Sequence, residues 1–119
     1  MDYIIINPET TISKIQELFS SYYPNLKIEF YKKWHESGEG SPDKERITED
    51  RILLDLNPNI SKDVINLSQH LTARTIESEF EERDLHIQVF RKRNGTWLQT
   101  TTSDDKPLAV LNKELTIEN

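Results

Sequence analysis

Cysteine is absent from this chain of 119 residues. Neither a disulfide framework nor a thiolate zinc site is open to it, and a reducing compartment suits it. Glycine occurs only 3 times, so turns that demand a positive φ must be few. Long apolar runs are missing as well, and nothing approaches the roughly 20 apolar residues a membrane-spanning helix needs. The opening Met1-Asp2-Tyr3-Ile4-Ile5-Ile6-Asn7-Pro8 has no basic leader ahead of a long apolar stretch, and a cytoplasmic protein is expected. An excess of basic charge is the last absence. With 15 Lys and Arg against 21 Asp and Glu the net charge is −6. That argues against wholesale binding of phosphate backbones while leaving a local basic patch open.

What is present points to a folded chain. Hydrophobic residues make up 34%, a low share, but they gather in clusters of the kind disordered chains lack. The length suits a single domain over residues 1–119, with a core large enough to hold without staples.

Residues 3–6 read as a strand closed by Asn7-Pro8. Ile12, Ile15, Leu18, Phe19 and Tyr22 then fall at helical spacing, with Thr10 or Thr11 as the cap and Pro24 as the stop. Leu26-Lys27-Ile28-Glu29-Phe30-Tyr31-Lys32 alternates with period two, so Leu26, Ile28 and Phe30 face inward and Lys27, Glu29 and Tyr31 outward. Residues 35–46 carry two of the glycines and read as a flexible loop. Residues 47–56 read as one or two helical turns, with an extended segment before Asn57-Pro58 as the alternative. A strand over residues 64–67 and a helix from Thr72, marked by Ala73, Ile76 and Phe80, follow. Leu85-His86-Ile87-Gln88-Val89-Phe90 alternates again. Asn94-Gly95 is the strongest hairpin signal, because both residues tolerate positive φ. Pro107 to Leu115 reads as a short closing helix.

The halves echo each other. Residues 3–19 superpose without a gap on 64–80, matching Ile4 to Ile65, Thr11 to Thr72, Ile15 to Ile76 and Phe19 to Phe80. After a shortening of two residues, 26–33 match 85–92. Pseudo-repeats at 3–33 and 64–92 are expected. Two β-α-β units and a hairpin strand make an α+β fold with one antiparallel or mixed sheet, helices on one face, in a ferredoxin-like arrangement.

Such a sheet leaves one face for water, a partner or the remaining chain. A two-residue turn at Asn94-Gly95 sets Arg93 opposite Thr96, Lys92 opposite Trp97, Arg91 opposite Leu98 and Phe90 opposite Gln99. The outer face then presents Phe90, Lys92, Trp97 and Gln99, with His86 and Gln88 further along. Tyr31 and Lys33 stand at the positions equivalent to Phe90 and Lys92. Aromatic anchors beside basic groups fit a protein-binding or self-associating surface. Single-stranded nucleic acid stacking on the same rings is the alternative, without an RNA-recognition signature to support it. The bland account is that Phe90, Tyr31 and Trp97 pack beneath the long loop.

Enzymatic and metal chemistry find little footing. His35, His70 and His86 lie in different elements with no i,i+4 pair. Glu36, Glu39 and Asp43 lack the order of a calcium loop, and Gly38-Glu39-Gly40-Ser41 lacks the Lys and hydroxyl of a phosphate cradle. No cofactor, metal or small-molecule substrate is implied. The threonines at 100–102 near Asp104 would need a base, and His86 is the one candidate. Glu77, Glu79, Glu81, Glu82, Arg83 and Asp84 read as the solvated face of the second helix.

The stretch Val89-Phe90-Arg91-Lys92-Arg93-Asn94-Gly95-Thr96-Trp97-Leu98-Gln99-Thr100-Thr101, with Ser103-Asp104-Asp105, Phe80 and residues 38–42, resembles a family of small bacterial proteins without assigned function. The family pattern continues its Asp-Asp with Trp-Thr-Leu, whereas Lys106-Pro107-Leu108 stands here. The resemblance implies no catalytic residue. The expectation is a non-enzymatic interaction module using Tyr31, Lys33, Phe90, Lys92, Trp97 and Gln99.

Overall fold

The computed structural model describes residues 2–32, 41–101 and 103–113. Within them the order is β1 (Tyr3–Ile6), α1 (Ile12–Tyr22), β2 (Leu26–Tyr31), a 3-10 turn (Asp43–Glu45), α2 (Leu53–Leu56), β3 (Asp63–Asn66), α3 (Ala73–Glu81), β4 (His86–Arg93), β5 (Thr96–Gln99) and α4 (Leu108–Leu111). The fold is α+β. Among the described residues no helix is long and apolar enough to cross a membrane. Residues 35–40 of the expected loop and the end of the expected closing helix lie outside the described residues.

Threonines start both long helices. Thr11 Oγ1 accepts the Lys14 amide at 3.1 Å and Thr72 Oγ1 accepts that of Thr75 at 3.1 Å, each cap contributing about 1 kcal/mol. Ile12, Ile15 and Phe19 on α1 and Ala73, Ile76 and Phe80 on α3 are buried, as the helical period requires. Both stripes pack into one apolar cluster with Leu26, Ile28 and Phe30 of β2 and Ile87 and Val89 of β4. Phe30 and Phe80 meet edge to face, their centroids 6.0 Å apart, a geometry the ring quadrupoles favour.

The expected single sheet is instead two. β1 pairs with β3 and, separately, β2 pairs with β4, which pairs with β5; all three pairings are antiparallel. A ferredoxin-like order would hold all four strands in one sheet, with β1 and β3 at its centre and β2 and β4 on opposite sides of them, whereas here β2 and β4 pair with each other in a sheet of their own. Each strand instead finds an antiparallel partner of matching length: β1 runs along the whole of β3, and β2 along residues 86–91.

Residues aligned in the sequence comparison face one another at the centre of both pairings. Ile4 lies opposite Ile65 and Glu29 opposite Gln88. The short helices repeat the correspondence. Leu53 and Leu54 amides donate to Thr10 and Pro8 carbonyls at 2.9 and 3.0 Å, and Leu108 and Ala109 amides donate to Leu71 and Gln69 carbonyls at 2.8 and 2.9 Å. The residue after each short helix crosses to the other half: Asn57 Nδ2 donates to the Arg83 carbonyl at 2.8 Å, and Asn112 Oδ1 accepts the Asn25 amide at 2.9 Å.

Glu77 departs from the expected solvated helix face. It is 9% exposed, and its Oε2 accepts the Val89 amide at 3.0 Å and Gln88 Nε2 at 3.1 Å. β5 ends at Gln99, so this carboxylate supplies the acceptor that a longer β5 would have given to β4. Its period on α3 follows Ala73 and Ile76, which is why it turns inward while Glu82 remains exposed.

Two outcomes follow for stability, both read by urea denaturation. Phe80→Ala should cost about 3–5 kcal/mol through its cavity, whereas Val110→Ala, at a residue 49% exposed, should stay within about 0.5 kcal/mol. Glu77→Ala should cost about 1–3 kcal/mol by stranding the Val89 amide and the Gln88 side chain.

Candidate functional site

The face of the three-stranded sheet turned away from α1 and α3 is built by alternation. β2 contributes Lys27, Glu29 and Tyr31, β4 contributes His86, Gln88, Phe90 and Lys92, and β5 contributes Trp97 and Gln99. The register is the one the hairpin signal predicts, with Lys92 opposite Trp97 and Phe90 opposite Gln99. Asn94 and Gly95 adopt φ values of 53° and 80°, the left-handed conformation that a two-residue primed turn demands.

At the hairpin end the face is open. Lys27 Nζ stands 5.3 Å from the centroid of Phe90 and 4.9 Å from that of Trp97, and Lys92 Nζ stands 5.9 Å from Trp97. All four side chains are half-buried. Each cation over a ring gains about 0.5–1 kcal/mol at such exposure. Lys27 also pairs with Glu29 at 3.2 Å. Among the described residues Arg91, Lys92 and Arg93 have no carboxylate partner. Leu98, on the opposite side of β5, is 44% exposed.

Toward the middle the chain folds over the face. The Ser41 amide donates to Gln99 Oε1 at 2.9 Å, Gln99 Nε2 donates to the Ser41 carbonyl at 2.9 Å, and Ser41 Oγ lies 3.2 Å from Gln88 Oε1. The Lys32 amide donates to the Glu45 carbonyl and the Ile47 amide to the Phe30 carbonyl, so residues 45–47 run along the free edge of β2. Tyr31 therefore belongs to the outer face by alternation but is only 2% exposed. Its expected place on an open surface is corrected: the covering segment buries it.

Compared with protein-family models, with curated proteins and with solved structures, the chain shows no significant match. The site therefore stands on its own geometry. Of the side chains expected in it, Phe90, Lys92 and Trp97 come together. Gln99 adjoins them with its amide committed to Ser41, Tyr31 lies at the covered end, and Lys33 lies outside the described residues. His35, Glu36 and residues 38–40 lie outside them too. Lys27, read only as outward-facing, proves to be the cation that stacks on both rings. Its signal was its register opposite Phe90, which the β2–β4 pairing alone sets.

His86 and Asp104 do not converge. Asp104 holds Arg74 at 2.9 Å in the first turn of α3, whereas His86 follows the far end of that helix, its Nε2 3.6 Å from Asp84 Oδ1. Among the described residues no group of three or more His, Cys, Asp or Glu could hold a metal ion.

Burial pushes the Tyr31 phenol up to about 12, with Glu29 raising it further and Arg46 opposing. Burial and then Asp2 push Tyr23 up to about 12; its hydroxyl donates to the Leu67 carbonyl. Folding favours the protonated phenols, so their contribution is intact below the ordinary value of 10.0. It is lost as pH rises from there through about 12. Ultraviolet titration should show Tyr23 and Tyr31 ionising well above the ordinary phenol value of 10.0, and the urea midpoint should fall across that same window.

Proposed function

We propose that this chain is a non-enzymatic protein-interaction module that docks an acidic segment of a partner protein on the open, hairpin end of its three-stranded sheet. The observation that carries this reading is the group of cations at Arg91, Lys92 and Arg93, which lack carboxylate partners among the described residues. Lys92 shares the face of the Phe90 and Trp97 rings, Arg91 and Arg93 project from the other face of β4 at the same hairpin end, and the chain as a whole carries a net charge of −6. A chain with acid to spare that leaves its basic groups unpaired in one place presents a field an acidic partner can neutralise. The rings supply rigid apolar area at small entropic cost. β5 adds a second inducement: among the described residues its outer edge has no strand beside it, leaving backbone groups that an extended segment can pair with.

The two halves are read as copies of one unit comprising a strand, a long helix, a second strand and a short closing helix. What supports the duplication is the agreement of the sequence alignment with the paired hydrogen bonds of Leu53 and Leu108 and with the central pairs Ile4–Ile65 and Glu29–Gln88. On this reading the aromatic-basic patch is a specialisation of the second copy, which alone continues into the β5 hairpin.

A fluorescein-labelled peptide alternating Glu and Val tests the interaction. It should bind with a Kd of roughly 1–100 µM that weakens with salt, and Lys92→Glu and Trp97→Ala should each weaken it roughly tenfold with the circular dichroism spectrum unchanged. Failure of this peptide to bind at low salt would overturn the proposal. So would tight binding of an oligothymidine in its place, or an assembly state in sedimentation that buries Trp97 between copies.

A further inference from the structure

Among the described residues three buried side-chain polar atoms lack any hydrogen-bond partner: Tyr31 Oη, Arg46 Nε and His86 Nδ1. All three belong to residues that line one cleft of about 650 Å³. Tyr31 and His86 are directly opposed on β2 and β4, and Arg46 is bridged to Tyr31 across the free edge of β2. Buried polar groups are nearly always paired, and each orphan costs the full desolvation of its donor or acceptor unless a water, ion or ligand serves it. Here the three orphans belong to neighbouring residues of a single cleft.

We infer that this cleft is a binding site for a small amino-carboxylate, its carboxylate received by the Tyr31 hydroxyl and Arg46 and its ammonium by His86 and the acidic rim. The chemistry of the orphans sets the class. Arg46 is a donor and remains charged. Its Nε lies 3.0 Å from Asp43 Oδ1 but off the line of the N–H, so the charge is balanced while the donor goes unused. The Tyr31 phenol, held protonated far above neutrality by burial, is the second donor. With Nε2 turned toward Asp84 at 3.6 Å, the His86 ring has Nδ1 left to serve as an acceptor. Two donors and an acceptor on three residues that line the cleft match a molecule that accepts at one end and donates at the other.

Charge points the same way. Lys32, Arg46 and Arg51 face the cleft together with Glu49, Asp55 and Asp84, so cations and carboxylates balance. A phosphate dianion would meet three carboxylates without surplus positive charge, whereas a zwitterion leaves the balance undisturbed. Leu56 and Ile47 add an apolar portion to the wall, suited to a short aliphatic side chain. This site is at the covered end of the sheet face, remote from the Trp97 patch, and stands independently of the function proposed above.

The proteinogenic amino acids, each titrated to about 10 mM against isotopically labelled protein, with acetate, methylamine and inorganic phosphate as controls, provide the test. At least one amino acid should shift the Tyr31 and His86 ring resonances with a Kd below about 1 mM, and neither acetate nor methylamine alone should match it. Tyr31→Phe should weaken that binding roughly tenfold while leaving the free protein's Tm unchanged or raised, because the hydroxyl it removes is unsatisfied. Three results would overturn the inference. One is no saturable binding by any amino acid, whatever Tyr31→Phe does to the Tm. Another is binding of phosphate in preference. The third is amino-acid binding that Tyr31→Phe leaves untouched.

Discussion

The antiparallel ladder between β2 and β4 is the interaction on which the rest depends. It joins the two halves of the chain, and its register puts Leu26, Ile28 and Phe30 beside Arg91, Val89 and Ile87 on one face and Lys27, Glu29 and Tyr31 beside Phe90, Gln88 and His86 on the other. A shift of one residue would exchange those faces. The first face is fixed because Ile28, Phe30 and Val89 are fully buried beneath α1 and α3, and no slipped register can offer the helices an equal apolar surface. The functional face is therefore a consequence of core packing on the opposite side of the same strands.

Two local devices then divide that face. Glu77 takes the Val89 amide where β5 stops, so β4 runs on beside β2 with the edge that β5 no longer covers still satisfied. The segment beginning at Ser41 closes over Gln88 and Gln99 and follows the free edge of β2. What remains is an open aromatic and basic surface by the hairpin and a polar cleft at the other end. The same alternation supplies both; coverage by the intervening segment makes them chemically different.

Much of this was legible in the residues. The helical stripes, both threonine caps and the Asn94-Gly95 register rest on local rules, and local rules survive folding. Lys92 and Trp97 could be paired without coordinates because a two-residue turn admits one register. The likeness of the two halves was also visible as matched positions. Glu77 was misjudged because its spacing after Ala73 and Ile76 was outweighed by its charge. Tyr31 was misjudged because alternation gives a side chain's face but not what lies above it.

The sequence by itself determined the elements, their inward and outward residues and the hairpin, since each follows from interactions among neighbours a few positions apart. Only the tertiary structure decided that β1 pairs with β3 apart from the other sheet, that residues 41–47 cover Tyr31, and that Arg46 and His86 share a cleft. Those outcomes depend on which distant segments compete for the same strand edge. That competition is settled by the summed packing of the whole chain, which no local period encodes.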